Sequence, residues 1–215
     1  ITLLNANGSS VKLSPSSSTS YTITITDGCG TFPSATTTYS LNVTPAPTLT
    51  ITPATTADCA PLLVQFTGSS TPASALCSWN FDGNGSSTSC NTSTVFAVDG
   101  TYNVTYSVVD INGCTNSKTA SVTVFPNPTA MFMASPQPTS ILDPVITFTD
   151  VSLGNIASHT WIFNDALQSS STLQVASYTY ETVGVFPVTL AVVTDKGCVD
   201  TTTQNVYIED EYVVY

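Results

Sequence analysis

A single histidine, three lysines and no arginine make up the cationic inventory of this 215-residue chain. Acid–base and phosphoryl chemistry need positioned His, Lys or Arg groups. His159 stands two residues before Trp161, and no Ser–His–Asp set with a recognisable spacing forms around it. Asp82-Gly83-Asn84-Gly85 opens like a calcium loop but lacks the following Asp and the bidentate Glu, so it reads as a turn. Asp210, flanked by Glu209 and Glu211, reads as a solvated linker. No Cys-x-x-Cys occurs, and one His cannot complete a zinc site. These residues predict no catalytic group, no metal and no cofactor. The reactive chemistry left to the chain is that of its six cysteines.

The charge balance narrows the partners. Fourteen acidic and three basic residues give a formal net charge of −11. Three scattered lysines (Lys12, Lys118, Lys196) cannot displace the counterions of a nucleic acid or hold an anionic membrane surface. No run approaches the roughly 18 apolar residues of a membrane span, so a chain outside the bilayer is expected. A 41% hydrophobic content with so little charge argues for a folded chain, because disorder needs the opposite balance. Residues 1–30 show no basic stretch followed by an apolar run, and the chain is expected to begin partway through a domain of a longer secreted protein.

The elements that must position the cysteines are strands. Apolar and polar residues alternate with period two in Tyr21–Thr26, Tyr39–Val43, Tyr102–Val108 and Phe186–Val192. Such strands belong to antiparallel sheets with one face packed and one face wet. Ser and Thr fill 66 positions and supply the wet faces, which is how a folded chain carries so few charges. Turn signals at Asp27-Gly28, Asp82–Gly85, Asp99-Gly100, Asn112-Gly113 and Lys196-Gly197 separate the strands at short intervals. An all-β chain of sandwiches follows.

The chain also repeats itself. Phe66, Ser70, Trp79 and Phe81 match Phe148, Ser152, Trp161 and Phe163 at one offset. After a two-residue insertion, Gly100, Tyr102, Val104, Val108, Gly113-Cys114 and Val124 match Gly184, Phe186, Val188, Val192, Gly197-Cys198 and Ile208. Thr44-Pro45-Ala46-Pro47 and Phe125-Pro126-Asn127-Pro128 precede the two copies, and prolines there stiffen a connection and stop sheet pairing. The expected divisions are 1–45, the back half of a related domain; 46–126, copy two; 127–209, copy three; and 210–215, the start of a linker. Trp79 and Trp161 each alternate with a Phe two positions on and are expected in the cores.

Copy two carries Trp79-Asn80-Phe81-Asp82-Gly83 and Gly100-Thr101-Tyr102-Asn103-Val104. Copy three carries Trp161-Ile162-Phe163 and Gly184-Val185-Phe186-Pro187-Val188. The pair of motifs resembles the PKD domain, an immunoglobulin-like sandwich marked by W-x-F-G-D-G and G-x-Y-x-V. The resemblance covers residues 47–209 and implies end-to-end sandwiches with Trp79, Phe81, Tyr102, Trp161, Phe163 and Phe186 as core signature. Both copies depart from the Gly-Asp-Gly turn, and residues 1–44 resemble a looser immunoglobulin-like repeat.

Six cysteines without metal spacing point to an oxidising compartment. Cys77 and Cys90 flank the Asp82–Gly85 turn almost symmetrically, and a hairpin would set them opposite each other as a disulfide. Cys59 has two candidate partners. Cys114 lies in its own copy, but an immunoglobulin-like topology puts those two turns at opposite ends of a strand of about 26 Å, while a disulfide needs Cα atoms within about 7 Å. Cys198 lies in the next copy, across the junction. If Cys59 takes Cys198, Cys114 and Cys29 look to cysteines upstream of residue 1.

The tail Tyr207–Tyr215 resembles the approach to the sorting domain of type IX secretion cargo. That likeness implies a bacterial cell-surface adhesin, related to gliding-motility adhesins, with neighbouring domains of the same chain and outer-membrane secretion or motility machinery as partners. It also implies O-glycosylation at Thr201, in Asp200-Thr201-Thr202. The function expected is a non-enzymatic stalk segment. The rival is an accessory, carbohydrate-binding array of a secreted hydrolase, which an exposed row of aromatics would favour.

Overall fold

A computed structural model describes residues 13–25 and 35–211. Every helix or strand among them is a strand. β1 (Thr19–Ile25) and β2 (Ala35–Leu41) form an antiparallel pair with Tyr21 opposite Tyr39. The pattern Tyr39–Val43 predicted a strand running two residues further. The ladder stops at Leu41 because Val43 N donates to the Ser18 side chain and not to a strand backbone. Cys29 lies outside the described residues.

Copy two holds eight strands: β3 (Thr48–Thr52), β4 (Thr55–Cys59), β5 (Leu62–Thr71), β6 (Ser74–Asn80), β7 (Ser86–Ser87), β8 (Asn91–Phe96), β9 (Gly100–Asp110) and β10 (Thr115–Phe125). They make one sheet in the order β3-β5-β8 and another in the order β4-β10-β9-β6-β7. Copy three repeats this with β11 (Phe132–Ser135), β12 (Thr139–Ser140), β13 (Val145–Asp150), β14 (Ile156–Ile162), β15 (Ser170–Ser171), β16 (Val175–Thr179), β17 (Gly184–Thr194) and β18 (Val199–Glu209). Its sheets run β11-β13-β16 and β12-β18-β17-β14-β15, so the two copies agree element for element.

Each sandwich closes on its own core. Trp79, Phe66, Phe81, Phe96, Tyr106, Val104 and Val122 fill copy two, and Trp161, Phe148, Phe163, Tyr180, Ile146 and Leu190 fill copy three. The alternation in β9 and β17 turns every second residue inward, as a period of two requires. Outward, hydroxyls pair across strands: Thr50 with Ser69, Thr147 with Ser177, and Thr189 with Thr203.

The Thr and Ser coverage is not uniform. On the three-stranded sheet of copy two, Thr50, Thr52, Ser69, Thr71 and Asn91 face outward. The registers place Met131, Met133, Val151, Leu153 and Val175 at the matching positions of copy three, all of them exposed.

Candidate functional site

The copies meet at a covalent junction. β4 runs parallel to β10 and brings Cys59 level with Phe125, the last strand residue before the linker. Cys198 sits in the tight turn between β17 and β18. Gly197 there has φ +87°, a left-handed conformation that glycine adopts without strain. Thr194 closes this turn, its backbone N donating to Cys198 O and its hydroxyl accepting from Cys198 N. Cys59 and Cys198 form a disulfide with Cα atoms 5.5 Å apart.

Polar contacts brace the same junction. Asn127 Nδ2 donates to Ala60 O at 2.7 Å, and Ala60 N donates to Phe125 O at 3.0 Å. Ala130 N donates to Asp200 Oδ2 at 2.8 Å, tying the linker to β18. The Lys196 ammonium lies 6.0 Å from the Phe125 ring centroid. A small cavity of about 190 Å³ remains between Pro126, Asn127, Gly154, Asn155 and Lys196.

Of the two partners that the sequence leaves open for Cys59, the structure joins Cys198. Cys114 occupies the equivalent turn at the other end of copy two. Its N donates to Asp110 Oδ1, and its Sγ lies 3.9 Å from Thr44 O in the preceding linker. It is half-buried and is the unbridged cysteine among the described residues.

Cys77 and Cys90 form the second disulfide, with Cα atoms 5.2 Å apart. The geometry differs from the hairpin that predicted it. β7 holds only two residues, pairing Trp79 with Ser87 and Asn80 with Ser86. Cys90 lies past it, where the chain crosses to the other sheet, and its carbonyl accepts from Gly68 N of β5 and Trp79 Nε1. The bridge therefore ties one sheet to the other instead of closing a hairpin.

Copy three holds the same place without cysteines. His159 stands where Cys77 does, and Asp150 where Gly68 does. His159 Nδ1 approaches Asp150 Oδ2 at 2.9 Å across the two sheets, without the alignment of a hydrogen bond. Asp150 also accepts from the Ser152 backbone and hydroxyl. The single histidine is thus part of an inter-sheet contact.

The signature aromatics are structural. Trp79 and Trp161 are 2% and 0% exposed; Phe81 stacks beside Trp79, and Phe148 lies between Trp161 and Phe163, in contact with both. Tyr102 and Phe186 sit at the core's edge. Tyr102 packs against Phe96 with its ring tilted and donates its hydroxyl to Val98 O, four residues back. Copy three exchanges the hydroxyl between the partners: Phe186 stacks on Tyr180, whose hydroxyl donates to Phe163 O. Asp82 takes φ +57° and ties its turn to β9 by accepting from Asn103 N. Thr201 is exposed on β18.

One polar cluster escaped the sequence reading. Asp165, beside Phe163, accepts from the Tyr178 hydroxyl at 2.5 Å and from Ser169 N and Oγ. The Tyr178 hydrogen bond, with help from Ser169, lowers its carboxyl to about 2. Burial and the Asp165 contact raise the Tyr178 phenol in turn. The cluster locks the loop that replaces the Asp82–Gly85 turn. The signal that was available is the departure of Asn164-Asp165 from the family turn.

A family model for the PKD domain matches residues 42–124 and 126–209. The chain belongs to the PKD domain family. Its modules therefore carry the immunoglobulin-like sandwich of that family. Among solved structures, the PKD1 domain of Vibrio anguillarum Epp is 25% identical, covering 40% of this chain and 96% of that one, with a TM-score of 0.35. The PKD1 domain of the Vibrio cholerae metalloprotease PrtV is 28% identical, covering 39% and 98%, with a TM-score of 0.34. Fibronectin(III)-like modules of Clostridium thermocellum CbhA are 14% identical over 78% of this chain and 99% of that one, with a TM-score of 0.36. No curated protein matches the chain.

Proposed function

We propose that this chain is a non-enzymatic stalk segment of a large secreted adhesin at a bacterial cell surface, delivered by type IX secretion and serving attachment or gliding. The observation that carries the reading is the junction. Two PKD modules are joined end to end by a disulfide as well as by a proline-stiffened linker. A covalent second connection suits a part whose task is to hold distance and direction. Disulfides persist in oxidising, extracellular surroundings. The neighbours of the segment along the same chain are its immediate partners, with the secretion or motility machinery at the base.

The rival array that binds polysaccharide beside a hydrolase needs exposed aromatic platforms. Both tryptophans are buried. The open groove of about 950 Å³ on copy two is lined by Leu76, Ser78, Cys90, Ser107 and Ser117 among others, with no aromatic ring.

Immunogold labelling of residues 46–209 on intact cells of the source bacterium is the test. Labelled surface filaments are expected. Label found only in the soluble secreted fraction together with a hydrolase activity overturns the stalk.

A further inference from the structure

Two covalent routes lead from Thr48 to Glu209. One follows the backbone through both modules. The other leaves it at Cys59, crosses the disulfide and rejoins at Cys198, bypassing a sequence separation of 139. The short route also runs along strands. The linker before β3 is fastened at the Cys114 end of copy two, where Asn116 Nδ2 donates to Pro47 O. β4 then descends parallel to β10 and ends at Cys59, level with Phe125. From Cys198, β18 descends the length of copy three beside β17 and ends at Glu209.

We propose that the Cys59–Cys198 bridge is a tension tie. It carries an end-to-end load along β3, β4, one disulfide and β18, so that the residues between Cys59 and Cys198 are not drawn out while the bridge is oxidised. The residues between the two cysteines form a closed loop hanging from the loaded path. Once the loaded strands are drawn taut, no backbone tension passes through that loop, whatever the strength of its strand pairing. That loop holds Trp79, Trp161 and the Cys77–Cys90 bridge, while Leu49, Ile51, Val206 and Ile208 complete the two cores from the loaded strands.

The loaded strands have little slack. A strand already rises about 3.3 Å per residue, against a fully extended limit of about 3.6 Å. Stripping them from their sheets lengthens the chain by a few nanometres at most. Once a dithiol reductant takes the bridge by exchange, leaving Cys59 and Cys198 as thiols and itself a disulfide, the bypassed segment joins the path and can release about 45 nm. Extensibility thus becomes a redox property of one bond. The stalk reading, on which this use rests, supplies the load; the bond path exists without it.

The experiment is single-molecule force spectroscopy on the whole 215-residue chain with a handle at each end. Residues ahead of Thr48 contribute equally to every state and cancel in the difference. Wild-type chain pulled without reductant is expected to release no long step from the two modules. Cys59→Ser is expected to release about 41 nm more, with the Cys77–Cys90 loop still closed, and reductant is expected to add about 4 nm as that loop opens. Cys198→Ser gives the same lengths. Adding reductant to wild-type chain held at constant force avoids any folding defect of the variants and is expected to produce the same elongation. Oxidised wild type that releases as much as Cys59→Ser, or no elongation on reduction, overturns the tie. Loss of surface labelling would remove the stalk and leave these steps unchanged.

Discussion

At the residue scale, the two copies solve one packing problem with different sets of side chains. In copy two, Tyr106 fills the centre of the sandwich, and a Cβ added at Gly68 would overlap its ring. In copy three, the shorter Leu190 stands opposite, and Asp150 fits where the glycine was. Gly68→Ala is expected to destabilise copy two by about 1–3 kcal/mol, the usual cost of overpacking. Gly68→Ala with Tyr106→Leu is expected to cost less than the sum of the two singles, because the clash is removed. Thermal melts of the four chains check both statements. The lowered Asp165 carboxyl sets a pH dependence. Its folded value is depressed, so its contribution is present above the ordinary carboxylate range and is lost as pH falls through about 2. Tyr178→Phe is expected to return the Asp165 carboxyl toward the usual range, read as an upward shift of its titration by carboxyl-carbon NMR.

At the element scale, the inter-sheet ties differ between copies. The Cys77–Cys90 bridge closes a separation of 13 residues. The chain-entropy model gives such a loop about 3 kcal/mol. Cys77→Ser with Cys90→Ser is expected to lower the melting of copy two by that order and leave copy three unchanged, as hydrogen exchange resolved by module would show. Copy three lacks the tie and is expected to be indifferent to reductant at this position. The pairing was legible from spacing, but its geometry was not. A turn flanked symmetrically by two cysteines reads as a hairpin. The sequence does not reveal that β7 stops after two residues and hands the chain to the opposite sheet. Its partner strand is fixed by long-range packing, which local pattern does not report.

At the scale of the whole molecule, the two modules are joined by a disulfide as well as by the backbone. Cys59→Ser removes the closure of a separation of 139 residues, for which the chain-entropy model gives about 5 kcal/mol at most. The expected result is two modules that melt less cooperatively, visible as a second calorimetric transition. The same substitution is expected to increase the spread of angles between modules, measured by small-angle scattering.

The sequence alone determined the all-β class, the repeat, the PKD resemblance and the buried role of Trp79, Phe81, Trp161 and Phe163. Period-two alternation and paired turn signals are local, and a repeated motif is visible wherever it stands. Only the tertiary structure decided between Cys114 and Cys198 as the partner of Cys59, because that choice depends on which turns share an end of the stack. It likewise decided the role of His159. A lone histidine has no meaning by spacing; its contact with Asp150 exists because two sheets face each other. The exposed Met131, Met133 and Leu153 were beyond reach for the same reason, since alternation gives the period of a strand but not which of its faces is covered.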